Sequence, residues 1–142
     1  MNAGRESVTR TPSIVLASAS ARRKMLLEQS GINARIISST IDESIPPASF
    51  PSVEHYCIAL ALAKAENVAC RLRNAYVIGA DTIVVYNNNI FGKPRDIHDA
   101  EKILRTLSNT THAVYTAIAV IETKTRRRIV DNGDGRVYRM SS

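Results

Sequence analysis

The 142-residue sequence has no tryptophan, only two phenylalanines and two cysteines, and aromatic residues make up 5% of it. Rings this sparse form no run on which bases would stack, which argues against an RNA-recognition surface. Cys57 and Cys70 fall in one expected helix, at a spacing that suits neither a disulfide nor a zinc site. They read as small core or partly buried fillers. Such cysteine usage fits a reducing compartment, so a cytoplasmic location is expected. No apolar stretch reaches the length of a membrane span, and the polar segment 1–12 lacks a signal-peptide core. That segment is expected to be a disordered leader, followed by a single domain over residues 13–142.

What is present is ordinary for a globular chain, with 44% hydrophobic and 23% charged residues. A net charge of +6 invites a polyanionic partner. Part of that excess, however, sits in Arg126, Arg127 and Arg128 on an expected solvated hairpin, and in Arg5 and Arg10 of the leader. Single charges at the ends of elements therefore carry more information than the total.

Residues 13–17 form a short apolar run that reads as a buried strand. Ser18 and Ser20 are N-cap candidates for a helix over 21–30, closed by Gly31. A strand over 34–38 follows, and the strand–helix–strand order points to an α/β fold. After a proline-rich loop over 42–51, a helix is expected over 52–73, with Val53, Tyr56, Leu60, Ala63, Asn67 and Val68 on its core face. Residues 76–86 read as a long strand, bent or interrupted near Gly79. Asn87 to Asn89 mark a turn, and Ile90 and Phe91 return as a hairpin. Asp96 caps a helix to residue 107, with Ile97, Ala100, Ile103, Leu104 and Leu107 on its inner face. Strands over 112–121, 128–131 and 136–139 complete the pattern.

Several positions could carry chemistry. Arg22 and Arg23 lie in the first turn of a helix, where each opposes the macrodipole at about 0.3–1 kcal/mol. Free backbone N–H groups and the Ser18 and Ser20 hydroxyls meet them there, so an anion such as phosphate would relieve the conflict. Two solvated arginines are the plainer alternative. Asp42 and Glu43 are adjacent loop carboxylates, either surface decoration or oxygen ligands for Mg²⁺. Asp81 interrupts an apolar strand, where a carboxylate is costly unless paired or bonded. Gly79 beside it signals a close approach to the backbone, and Thr82 adds a hydroxyl. Lys64 has apolar neighbours, and its stem can snorkel to water. Lys93 is fixed between Gly92 and Pro94, without the rest of a phosphate-binding loop. His98 and Asp99 suit a helix surface or cap, and His55 and His112 define no catalytic arrangement.

Taken in order, these segments resemble the motifs of the Maf family. Residues 16–27 (LASASARRKMLL) resemble its opening motif, Asp42-Glu43 its acidic loop and residues 61–65 (ALAKA) its lysine helix. Residues 79–84 (GADTIV) and 92–96 (GKPRD) are similar to its two central motifs, and Leu107-Ser108 with 111–116 (THAVYT) to the stretch beyond. The resemblance implies an α/β fold of Maf/ITPase-like type, a mixed sheet flanked by helices with a substrate cleft. It also implies hydrolysis of a nucleoside triphosphate to the monophosphate and pyrophosphate. By that resemblance Asp81 is the catalytic proton acceptor, and Arg22 and Thr82 bear on substrate choice, in the branch acting on dTTP and UTP rather than on 7-methyl-GTP. Ser18, Ser20, Arg22, Arg23, Lys64, Thr82 and Lys93 would bind substrate, and Glu43 with Asp81 would hold a divalent metal, Mg²⁺ or Mn²⁺. The expected partner is the nucleotide, with no membrane and no nucleic acid, and a homodimer is admissible. Ala21 and Asn109 depart mildly from the family's usual proline and glycine. The sequence stops where the family continues into a further lobe, so its C-terminal portion is expected to be missing. The alternative is a fragment that binds nucleotide or self-associates without turnover.

Overall fold

Burial alternates along residues 75–86. Ala75, Val77, Gly79, Asp81 and Ile83 are buried, while Tyr76 and Thr82 are exposed. That period of two belongs to a strand with unlike faces, and it forms β3 (Ala75–Tyr86) of the computed structural model, which describes residues 11–41, 49–87, 89–91, 96–132 and 136–139. Its antiparallel neighbour is β5 (Thr111–Glu122). The two pair without a break from Tyr76↔Glu122 to Val85↔Ala113. The expected interruption at Gly79 is therefore not found.

On its other edge β3 lies parallel to β1 (Ser13–Leu16), which is itself parallel to β2 (Arg35–Ile36). β4 (Asn89–Phe91) folds back on the far end of β3, after Asn87 has turned the chain at φ 54°. β6 (Arg128–Asn132) and β7 (Arg136–Arg139) pair with opposite halves of β5. The result is a seven-stranded mixed sheet ordered β2-β1-β3-β5-β6, with β4 on β3 and β7 on β5. Strand β2 is shorter than the sequence suggests.

One face of this sheet is covered by helix α2 (Val53–Ala69), whose N-cap Ser52 accepts a hydrogen bond from the His55 amide. The buried positions of α2 are Tyr56, Cys57, Leu60, Ala61, Lys64, Ala65, Val68 and Ala69. This face is rotated from the expected one, because Ala61 and Ala65 are small enough to bring the helix onto Gly79. A Cβ at Gly79 would sit 2.8 Å from the Ala65 nitrogen and closer still to the Ala61 carbonyl. The glycine thus serves helix–sheet contact. Val15, Val68, Val77 and Ala119 are fully buried in the core beneath α2, each valine being worth about 1.5–3 kcal/mol against exposure. Arg128 on β6 ties down the rim of α2 through Glu66 at 2.7 Å.

The other helices are shallower. Helix α1 (Ala21–Gln29) buries no residue, and Met25 and Leu26 are each 51% exposed. It ends as expected, with Gly31 at φ 83°. Helix α3 (Ile97–Leu107) starts on Asp96, which accepts from the Asp99 amide, but its expected inner face is mostly uncovered. Only Leu107 is buried, and Ile97 is 76% exposed. Cys70 is an exposed C-cap rather than a filler. Among the described residues no helix is long and apolar enough to cross a membrane. Most of the expected leader (residues 1–10), the acidic loop and the turn over 133–135 lie outside the described residues.

Candidate active site

Strand β3 carries Asp81 on the face under α2, because it shares the parity of Val77, Gly79 and Ile83. Lys64 points down from the helix, and its Nζ lies 3.0 Å from Asp81 Oδ1, the two side chains being 8% and 10% exposed. The alternative, a Lys64 stem that snorkels to water, is not what the structure shows. A buried ammonium without a counter-charge would be costly, and Asp81 supplies one. Cys57, two helical turns earlier, places its Sγ 3.2 Å from the Asp81 carbonyl oxygen, 3.9 Å from Oδ2 and 3.7 Å from the Tyr115 carbonyl oxygen. Burial, followed by the negative charge of Asp81, pushes the Cys57 thiol up to about 12. The thiol therefore stays protonated as a weak donor around Asp81. Sequence reasoning missed this contact; the helical offset of seven between Cys57 and Lys64, which puts both on one face, was the available signal.

Thr82 follows Asp81 and so projects from the opposite face. There Arg23 Nη2 donates to Thr82 Oγ1 at 3.2 Å, and Arg23 Nη1 lies 3.5 Å from Ser18 Oγ. Thr82 Oγ1 in turn lies 3.1 Å from Thr116 Oγ1, its register partner on β5. The turn between β1 and α1 makes this possible. Ser18 Oγ accepts from the Ser20 amide, and Ser20 Oγ caps α1 by accepting from the Arg23 amide at 3.3 Å. Of the paired arginines, Arg23 is the one turned toward the sheet; Arg22 is exposed. Thr116 joins the row without having been singled out from the sequence.

The expected site residues thus fall into a buried pair, Lys64 and Asp81, and a row of Ser18, Ser20, Arg23 and Thr82 on the other face of the strand. Glu43 and Lys93 lie outside the described residues. His98 is exposed on α3, and His112 is buried with Nδ1 unpartnered among the described residues. No group of three or more His, Cys, Asp or Glu gathers among the described residues. Asp81 is the expected metal ligand among the described residues, and Mg²⁺ is commonly held by one or two carboxylates plus phosphate oxygens and waters.

The fold is shared by proteins of known structure. The Staphylococcus aureus Ham1 protein aligns with a TM-score of 0.54 at 19% identity, covering 88% of this chain and 70% of that one. A HAM1 protein from Coxiella burnetii aligns with a TM-score of 0.52 at 16% identity, over 90% of this chain and 71% of that one. This class of mixed α/β sheet is the frame on which the site is built.

Within it the family is specific: Maf-like protein matches residues 13–140, and the chain belongs to that family. It is 43% identical over 125 residues to the dTTP/UTP pyrophosphatase of Pelotomaculum thermopropionicum, covering 88% of this chain and 64% of the relative. It is 46% identical over 108 residues to the dTTP/UTP pyrophosphatase of Bacillus mycoides, covering 76% of this chain and 56% of the relative. The chain therefore spans less than two thirds of the length of these relatives.

Proposed function

We propose that this chain forms the catalytic core of a nucleoside triphosphate pyrophosphatase that hydrolyses dTTP or UTP to the monophosphate and pyrophosphate. The observation that carries the reading is the buried Lys64–Asp81 pair at 3.0 Å. It sits on the same strand as the Arg23–Thr82 contact, within a family whose relatives bear that activity in their names.

Asp81 accepts the proton of the attacking water. The oxygen of that water bonds to the α-phosphorus, the bond from the α-phosphorus to the bridging oxygen breaks, and pyrophosphate leaves with the electron pair. Lys64 holds the Asp81 carboxylate in one orientation. Arg23, with Ser18 and the α1 N-terminus, forms a donor-rich surface for nucleotide oxygens, and Lys93 adds a cation for the phosphates. Asp81 with Glu43 would hold Mg²⁺ or Mn²⁺, which when bound supplies charge neutralisation to the triphosphate. Much of the rate enhancement then comes from positioning and electrostatics.

The test is pyrophosphate release from dTTP, UTP and 7-methyl-GTP with Mg²⁺, by this chain and by Asp81→Asn. Release from the two pyrimidine nucleotides that vanishes in the variant is the expected result. Release that persists in Asp81→Asn would remove Asp81 from the mechanism, and a folded chain that releases none would sink the reading.

A further inference from the structure

The row on the face opposite Asp81 ends in a residue to which the proposed chemistry assigns no part. We infer that Thr116 is a positioning residue: it fixes the hydroxyl proton of Thr82, so that Thr82 and Arg23 together meet one hydrogen-bond acceptor of the nucleotide. This inference rests on the nucleotide reading.

The geometry is a chain of directed bonds. Thr82 Oγ1 accepts from Arg23 Nη2 at 3.2 Å, which uses one lone pair and orients the hydroxyl. Thr116 Oγ1 stands 3.1 Å away, held there by the Thr82↔Thr116 register of the longest ladder in the sheet. A hydroxyl has one proton and two acceptor sites. In the inferred arrangement Thr116 donates into the second lone pair of Thr82, and the Thr82 hydroxyl keeps its own proton for an outside acceptor. Both side chains are exposed, so such an acceptor can reach them from solvent. Arg23 is pinned at Ser18 and Thr82, and a guanidinium carries five N–H donors, so it presents further donors beside that hydroxyl. The patch therefore selects for an acceptor. A nucleotide offers two kinds, a carbonyl oxygen of the base and an oxygen of the phosphates or sugar. Without Thr116 the Thr82 hydroxyl has no strand partner to set its rotation.

The experiment is calorimetric binding of α,β-methylene-UTP and α,β-methylene-CTP, whose bridging bond resists hydrolysis, to the wild-type chain, Thr116→Val and Thr116→Ser. Valine keeps the shape and suits an exposed strand position, so the fold should be retained and a thermal melt will register it. The expected result is a dissociation constant for the uridine analogue raised about three- to tenfold in Thr116→Val and restored in Thr116→Ser. If the loss is confined to the uridine analogue, the acceptor is the base carbonyl that cytosine replaces with an amine. If both analogues lose equally, the acceptor is an oxygen common to both. Either pattern supports the positioning role, which a merely structural residue would not produce with serine rescue at an unchanged melting temperature. Unaltered binding in Thr116→Val overturns it, and so does a loss that serine fails to restore. A wild-type chain that binds neither analogue would instead defeat the nucleotide reading itself.

Discussion

Lys64 Nζ and Asp81 Oδ1 meet at 3.0 Å beneath a helix, where each side chain keeps a tenth or less of its surface. Breaking such a buried pair from one side costs about 3–5 kcal/mol. Lys64→Met should accordingly lower the unfolding free energy by an amount of that order. The double variant Lys64→Met/Asp81→Leu should recover most of it while remaining inactive. Urea unfolding of the three proteins checks this, and a double variant less stable than Lys64→Met would contradict it.

Gly79 makes a sharper prediction. The Ala61 carbonyl and the Ala65 amide are backbone atoms and cannot rotate away from an added methyl. Gly79→Ala should cost at least the roughly 1–3 kcal/mol of ordinary overpacking, and soluble expression should fall. A variant with an unchanged melting temperature would mean that α2 sits farther from the sheet.

The two cysteines should behave oppositely. Cys70 is exposed and should react promptly with a thiol reagent, whereas Cys57 should react only on unfolding. The raised Cys57 value also predicts a pH dependence. The native state holds the thiol proton more tightly than the unfolded chain, so the associated stability is complete below the ordinary value of 9.0. It is lost as pH rises from there toward about 12. Wild type should therefore lose more stability across that window than Cys57→Ala, as measured by denaturant unfolding at each pH.

The arginine pair should separate in the same way. Arg23 spans Ser18 and Thr82 with two nitrogens, a geometry that a lysine ammonium cannot reproduce. Arg23→Lys should raise KM for UTP about three- to tenfold, while Arg22→Lys should change it little. Equal effects at the two positions would mean that Arg22 also meets the substrate.

Strand and helix order was largely legible, because the long apolar run of β3 and the caps at Ser20 and Asp96 are local signals. The contact face of α2 was not. Helical spacing favoured Ala63 and Asn67, but size decided, since Ala61 and Ala65 let the helix reach Gly79. Lys64 then had to be buried, and Asp81, seventeen residues on, supplies a counter-charge for it. Asp81 itself was legible because a carboxylate in an apolar strand must have a partner, though nothing local identified which. The choice between Arg22 and Arg23 depended on Thr82, fifty-nine residues from Arg23, and no spacing within the helix encodes it. Helix α3 shows the converse. Its apolar stripe was read correctly as a pattern but wrongly as core, because amphipathicity indicates a face that can be covered and does not say what covers it.

The unbroken ladder between β3 and β5 also has a bearing on how the chain folds. Thr82 and Thr116 face each other near its middle, and Asp81 gains its setting only once those distant segments have met. Pairings of this sequence separation form late and slowly, after the entropy of closing the intervening loop has been overcome. Neither half of the proposed site exists in a chain that has merely made its helices. Recovery of nucleotide binding during refolding should therefore follow the slow formation of the sheet, and would serve as its clock.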